Sequence, residues 1–355
     1  MKRLLTLFLC LFSLVAFAAE PTETGKKEGG FNPGEVILHH VGDSHEWHWF
    51  STDNNDFVTY LPVIAYQPGK GVSVFSSKHL AEGEAHNGFK LAHEKLTAED
   101  GSKVYDFSIT KNVASLLVSS TLLLVIFVSM ARAYGRRTGQ APAGLQSVLE
   151  PFVVFIRDEV GKKNIGPKYE RYIPYLLTVF FFIWFNNLLG LTPGAANLSG
   201  NIAVTGMLAI LTLLVTLFSS NKYYWQHIFW TPGVPLWLRP IMIPVELVGV
   251  VSKPFSLLVR LFANVTAGHI IILSFISLIF ILRTPFVGLL SVPFGLFISV
   301  LELLVAILQA YIFTLLTAMY IGGALEEHHD EHASGDHTHG TDLGIAQPTA
   351  APAAR

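Results

Sequence analysis

Charge and cysteine are what this sequence has least of. Asp, Glu, Lys and Arg make up 14% of its 355 residues, against about 25% in an ordinary soluble domain, and Cys10 is the single cysteine. The shortage of charge is concentrated: between Tyr172 and Leu325 the only charged residues are Lys222, Arg239, Glu246, Lys253, Arg260, Arg283 and Glu302. A soluble core of that composition is excluded. Neither sign of charge dominates, and a formal net charge of −2 leaves no broad basic surface, which sets nucleic acid aside as a partner. One cysteine forms no disulfide within the chain. There is no Gly-x-x-x-x-Gly-Lys-Ser/Thr loop to cradle a nucleotide phosphate.

Apolar residues are abundant, at 51%. The runs Tyr175–Leu191, Ile202–Phe218 and Ile270–Leu282 reach or approach the roughly 20 residues that cross a hydrocarbon core of about 30 Å. The fold class implied is an all-α polytopic membrane protein with about five membrane helices. Residues 1–18 open with Met1-Lys2-Arg3, continue apolar from Leu4 to Phe17 and reach Ala16-Phe17-Ala18 before Ala19, which reads as a cleavable signal peptide. Retained as an uncleaved anchor, the same leader would still place the region after it outside the cytoplasm. Residues 19–110 carry His39, His40, His45, His48, His79, His86 and His93 and no apolar run long enough to span, so they form an extracytoplasmic region. Within it Phe57–Tyr66 and Val72–Phe75 flank Gln67-Pro68-Gly69-Lys70-Gly71 and predict a β-hairpin. Residues 326–355, with His328, His329, His332, His337 and His339 among acids and then an Ala/Pro run, read as a disordered cytoplasmic tail.

The spans divide residues 111–325. Val113–Ala131 is followed by Arg132, Arg136, Arg137, Lys162, Lys163, Lys168 and Arg171, and so basic a connection belongs in the cytoplasm. Leu145–Arg157 within it predicts an amphipathic helix on the inner face. Tyr172–Leu191 then goes out, Thr192–Gly200 is an uncharged loop, and Asn201–Ser220 returns. The stretch from Arg239 to Arg283 would measure about 67 Å as a helix, twice the membrane thickness. It is either two short spans or one steeply tilted helix, and the lack of a charged, Gly-rich loop inside it favours tilt with a kink near Pro254. Pro285 to Leu325 repeats the geometry at about 60 Å.

Ionisable groups at membrane depth cost several kcal/mol unless paired or wetted, so each marks a functional position. At 100° per residue, Glu246, Lys253, Ser256, Arg260 and Asn264 fall on one line down the helix. Ala263, Ala267 and Gly268 beside that line keep the surface small enough for a neighbouring helix to approach closely. Arg260 is a fixed positive charge. A static ion pair of Arg260 with Glu302 or Glu246 is the competing structural reading, although such a pair is commonly no more stabilising than packed apolar residues. His269 lies nine residues on, on the opposite face, and with Glu302 it makes a candidate proton relay. A satisfied buried histidine and a capped glutamate are the structural alternative. Glu302 and Gln309, seven apart, share one face of the last helix.

The run Lys253-Pro254-Phe255-Ser256-Leu257-Leu258-Val259-Arg260-Leu261-Phe262-Ala263-Asn264-Val265-Thr266-Ala267-Gly268-His269 resembles the signature of subunit a of the rotary F-type ATP synthases. Leu301-Glu302-Leu303 leading to Gln309-Ala310-Tyr311-Ile312-Phe313-Thr314, Asn187-Leu188-Leu189-Gly190-Leu191-Thr192-Pro193 and Gly200-Asn201-Ile202-Ala203-Val204 extend the similarity over about Lys111 to Ile321. The resemblance implies a stator in the bacterial inner membrane that holds two offset aqueous half-channels against a rotating c-ring of carboxylate-bearing hairpins. Subunit b of the peripheral stalk, the F1 head and membrane lipids are the other implied partners. By the same match, Arg260 keeps the passing ring carboxylate ionised and blocks leak, and Asn264 and Gln309 help place it. Ser256 and Glu246 lie toward the cytoplasmic half-channel, His269 and Glu302 toward the outer one. Nucleotide chemistry belongs to other subunits, so the chain is not an enzyme by itself, and neither a cofactor nor a metal is expected. Many bacterial members carry an acid where His269 stands and a histidine where Glu302 stands; here the pair is exchanged, as in mitochondrial forms. Gly190 stands where some members have an acid and receives no role. The rival from another class is a secondary transporter with an intramembrane Arg/Glu substrate site, against which the first spans offer no counterpart of the Arg260 motif.

Overall fold

The structure is a computed structural model, and it describes residues 19–23, 34, 37, 41–52, 55–83, 85–92, 95–136, 140–142, 144–192, 196–230, 235, 237–282 and 284–326. The expected signal peptide, His39, His40, His93, Arg137, Arg283 and all of the tail but Glu326 lie outside the described residues.

Strands come first. β1 (Ala19–Glu23), β2 (Glu46–Thr52) and β3 (Asn55–Tyr60) form an antiparallel sheet in the order β1-β3-β2. A second sheet takes β4 (Pro62–Gln67), β5 (Gly71–Ser76) and β8 (Tyr105–Asp106) in the order β5-β4-β8, while β6 (Phe89–Ala92) pairs with β7 (Lys95–Ala98). The expected hairpin is β4–β5, with Tyr66 opposite Val72 and Gln67 opposite Gly71. Its turn closes through Lys70 N donating to Gln67 O at 3.1 Å, and Gly69 takes the φ of +91° that the third position of a type II turn requires. The first arm is shorter than the apolar run predicted. Phe57–Tyr60 belongs to β3 in the other sheet, and the chain changes sheets at Leu61–Pro62, where proline can start a strand but cannot donate within one. Val63, Ala65, Leu80, Phe89 and Leu96 form the small core beneath.

The helices come after them. α1 spans Lys111–Arg136, α2 Leu145–Phe155, α3 Lys163–Ile165, α4 Ile173–Gly190, α5 Ile202–Ser219, α6 Lys222–Phe229, α7 Arg239–Leu282 and α8 Pro285–Leu325. Five of these, α1, α4, α5, α7 and α8, are long and apolar enough to cross a membrane, and the main body is the all-α polytopic bundle that the composition implied. The helix expected over Leu145–Arg157 begins at Leu145 but does not stop near Arg157. It passes from α-helix into a π-helical stretch over Ile156–Lys162 before α3, a change of winding that periodicity alone does not reveal.

α7 and α8 are each one continuous helix, of 44 and 41 residues, which decides against two short spans. At 1.5 Å per residue they measure about 66 and 62 Å, so a bilayer of about 30 Å accommodates them only obliquely. Both helices run through internal prolines, Pro244 and Pro254 in α7 and Pro293 in α8. The core sits where the C-terminal half of α8 meets α4 and α7. Ala310, Phe313, Ala318 and Ile321 of α8 and Leu257 and Leu261 of α7 are buried there with Leu176, Phe180, Phe181 and Ile183 of α4. Close approach requires a glycine at one point: a Cβ on Gly322 would overlap the carbonyl oxygen of Asn164. The first half of α8 exposes Phe286, Leu289, Leu290, Phe297 and Val300, the surface expected of a helix facing lipid or another apolar subunit.

Candidate proton-translocation site

The polar line on α7 stays on one side of the helix. Ser256, Ala263, Asn264 and Ala267 are exposed and Arg260 is half-buried, so among the described residues this flank around Arg260 is only partly covered by the rest of the chain. Among the described residues no carboxylate forms an ion pair with Arg260, and the two oxygens of Glu302 are buried without a hydrogen-bond partner. The static pair of Arg260 with Glu302 or Glu246 is therefore not formed. Asn264 Nδ2 donates to Gln309 Oε1 at 3.2 Å, joining α7 to α8 one turn from Arg260. Gln309 is buried, and this bond fixes the orientation of its amide.

Two cavities flank Arg260 along α7. Toward the N-terminal end of α7 lies one of about 300 Å³, lined by Glu246, Gly249 and Lys253 of α7, Tyr223, Tyr224 and His227 of α6, and Tyr320 and Gly323 of α8. The Lys253 ammonium sits 5.6 Å from the centre of the Tyr320 ring, within cation–π range. α6 is held there by Asn221, whose N donates to Ala324 O at 3.0 Å and whose Nδ2 donates to Leu325 O at 2.9 Å. Toward the other end lies a cavity of about 20 Å³, lined by Asn187, Gly190, Asn264, His269, Glu302 and Ala306. It is large enough for about one water molecule. Glu302 reaches α7 at Gly268, where a Cβ would overlap its Oε1 and stand 2.8 Å from its Cδ.

The sequence-predicted residues thus separate into groups. Glu246 shares the larger cavity with Lys253, His269 and Glu302 share the smaller one, Asn264 and Gln309 are bonded to each other, and Ser256 and Arg260 lie between the cavities. Sequence reasoning missed Tyr320, Tyr224 and His227, because the chain does not show that α6 folds back onto α8. It also missed Gly268 as the seat of Glu302, since that glycine reads only as a small residue beside the polar line.

A family model described as "ATP synthase A chain" matches residues 114–322. The chain belongs to that family. A second model, described as a domain of unknown function, matches residues 36–115. A protein named ATP synthase subunit a from Pelodictyon phaeoclathratiforme is 40% identical over 331 residues, covering 91% of this chain and 85% of the relative. Its counterpart in Chloroherpeton thalassium is 46% identical over 242 residues, 66% of this chain and 71% of the relative. One from Anaeromyxobacter sp. is 39% identical over 323 residues, 84% and 73%. Three of the four motifs that resemble the family's fall within or at the ends of α4, α7 and α8, which line the cavities, and the fourth, Gly200–Val204, opens α5.

Proposed function

We propose that the chain is the proton-translocating stator of a rotary ATP synthase, with Arg260 acting on the carboxylates of a passing ring. Arg260 without a carboxylate partner among the described residues, on an exposed small-residue flank between a cavity that holds Glu246 and one that holds His269 and Glu302, is the observation that carries the reading. The larger cavity, with Glu246 and Ser256 on its side of Arg260, serves as the cytoplasmic half-channel, and the smaller one, with His269 and Glu302, belongs to the outer half-channel. A unit positive charge about 4 Å from a carboxylate, at an effective dielectric near 20, favours its ionised form by about 4 kcal/mol. A ring carboxylate arriving at Arg260 therefore gives up its proton before it passes and takes another on the far side. The same charge repels a proton that would cross directly between the cavities. Membrane potential contributes about 2.3 kcal/mol per charge per 100 mV, so several protons are summed for each ATP.

The functional division of the chain is then a leader over 1–18, an extracytoplasmic region over 19–110, the translocating bundle over 111–325 and a cytoplasmic tail over 326–355, in the bacterial inner membrane. Partners are the c-ring on the Arg260 flank, subunit b of the stalk and, through it, the F1 head that performs the nucleotide chemistry. The ion is H⁺, because histidine relays protons and is a poor ligand for a hard alkali cation. Affinity purification of the tagged chain from membranes tests the assignment: it should bring down a small, carboxylate-bearing hairpin protein and a nucleotide-hydrolysing complex. Recovery of the chain alone, in a form that takes up an organic solute, would favour the secondary-transporter reading instead.

A further inference from the structure

Hydrogen bonds tie the region over 41–110 to the bundle at the first turn of α1. The Asp43 carboxylate, from 67 residues upstream, accepts from Thr110 Oγ1 at 2.9 Å and from Asn112 N at 3.1 Å, while Lys111 N donates to Ser44 O at 2.8 Å. These bonds satisfy backbone donors that a helix start otherwise leaves open. Beside this clamp, His45 Nε2 meets Asp106 Oδ2 at 2.8 Å. The segment Asp43–His45 thus holds both the start of α1 and the strand that leads into it.

The face of α1 held by this clamp is unusual for a membrane helix. Lys111, Asn112, Ser115 and Ser119, on one face of α1, are 6%, 5%, 6% and 0% exposed, while Val113, Leu117 and Leu124 on the other side are open. The polar face is turned inward. It meets α4 and the segment Leu198–Gly200. Ala196, Asn197, Leu198 and Ser199, instead of forming an outlying loop, are buried between the helix ends. Around them buried polar atoms lack a partner: Asn186 Oδ1, Asn187 Oδ1 and Asn197 Nδ2, as well as both oxygens of Glu302. Buried groups of this kind call for water.

We propose that the region over 41–110 is the collar of the outer proton entrance: its Asp43–Ser44 clamp sets the polar face of α1 as one wall of a water-filled path, with Lys111 at the mouth, leading past Asn197 and Asn187 to His269 and Glu302. This rests on the outer half-channel proposed above and adds its entrance, its α1 wall and a role for the residues matched by the model of unknown function. Serines let helices pack closely, and Ser119 Oγ donates back to Leu116 O at 3.1 Å, but a buried row that also carries Lys111 and Asn112, beside the unpartnered oxygens of Asn186 and Asn187, is suited to solvate a file of water.

The test uses the full chain in its assembled complex, with Cys10→Ser as background. Single cysteines are placed at Ser115 and Ser119, a near-isosteric change, and at Leu117 and Leu124 on the open face. A membrane-impermeant, positively charged thiol reagent is applied from outside, inverted vesicles are then made, and ATP-driven acidification is read. Labelling at Ser115→Cys and Ser119→Cys with at least a tenfold loss of pumping, and no loss at Leu117→Cys or Leu124→Cys, is the expected result. Asp43→Ala should lower pumping several-fold, while Asp43→Asn, which keeps one acceptor oxygen, retains most of it. If neither serine position is labelled, or if labelling leaves pumping intact, α1 is not a wall of the path. Normal pumping by Asp43→Ala would overturn the collar. Each of these failures is distinct from failure of the stator reading, which would show itself as undiminished pumping by Arg260→Ala in the same vesicles.

Discussion

Gly268 gives the sharpest prediction about the proton path, because the structure sets a side chain's room against a functional group's position. In Gly268→Ala the new methyl would overlap Glu302 Oε1 and lie 2.8 Å from Cδ and 3.0 Å from Cγ. All three atoms belong to one side chain, so the backbone need not move and the carboxylate gives way instead. Driving Glu302 off its rotamer costs about 0.5–1.5 kcal/mol. If that cost appears in full in the barrier to proton transfer, turnover falls about 2- to 13-fold. The assay is ATP-driven acidification of inverted vesicles at matched complex content. Gly295→Ala on α8 is the control, since a Cβ there meets nothing within 4 Å and alanine is the better helix former. Shortening the acid by one methylene, in Gly268→Ala with Glu302→Asp, should recover part of the lost rate. Full activity of Gly268→Ala would refute the argument that Glu302 must occupy its seat against α7 to pass protons.

Other perturbations test the same geometry. Gln309→Leu removes the 3.2 Å bond to Asn264 at the turn beside Arg260, and should cost about 0.5–1.5 kcal/mol, read as a lower thermal midpoint of the purified complex together with reduced pumping. Gly322→Val pushes a side chain into the Asn164 carbonyl and should lower the yield of assembled complex, measured by blotting of membranes, because overpacking of about 1–3 kcal/mol falls at the α8–α3 junction. In the β-rich region, burial alone would raise the Asp106 carboxyl, but hydrogen bonds from His45 and Ser108 outweigh it and hold the group at about 2, below its ordinary value of 3.8. Since the folded value is the lower one, this contribution, at most about 2 kcal/mol, is present above about pH 4 and is lost as pH falls toward 2. Fluorescence of the stacked Trp47–Trp49 pair, whose ring centres are 4.7 Å apart, should report an acid transition in this window, and Asp106→Asn should flatten it.

The parts of this molecule written in local pattern were legible in the sequence. The long apolar runs of α4, α5, α7 and α8 announce themselves by composition, and the turn Gln67–Gly71 by its Pro and Gly. Arg260, His269 and Glu302 stand out because charge at membrane depth is costly enough to need a reason. Less legible were features that depend on what meets what. Short strands such as β6–β8 carry too few residues for an alternation to register, and Phe57–Tyr66 reads as one arm because apolar character continues across the change of sheet at Pro62. The buried segment Ala196–Ser199 reads as an outlying loop because it has no charge and only one long apolar side chain, Leu198. The polar face of α1 is hidden for a related reason: Asn112, Ser115 and Ser119 are individually ordinary in a membrane helix, and only their shared burial beside Lys111 shows that the helix is turned polar side in.

The central claim is that Arg260 acts as an unpaired charge on a moving carboxylate and not as a pin between helices. ATP-driven acidification of inverted vesicles carrying Arg260→Ala, with passive proton leak measured alongside, tests it most directly. The account predicts that pumping is abolished while the complex still assembles, because the other cation on this line, Lys253, lies seven residues away with its ammonium over the Tyr320 ring and does not replace Arg260. Undiminished pumping by Arg260→Ala would contradict it.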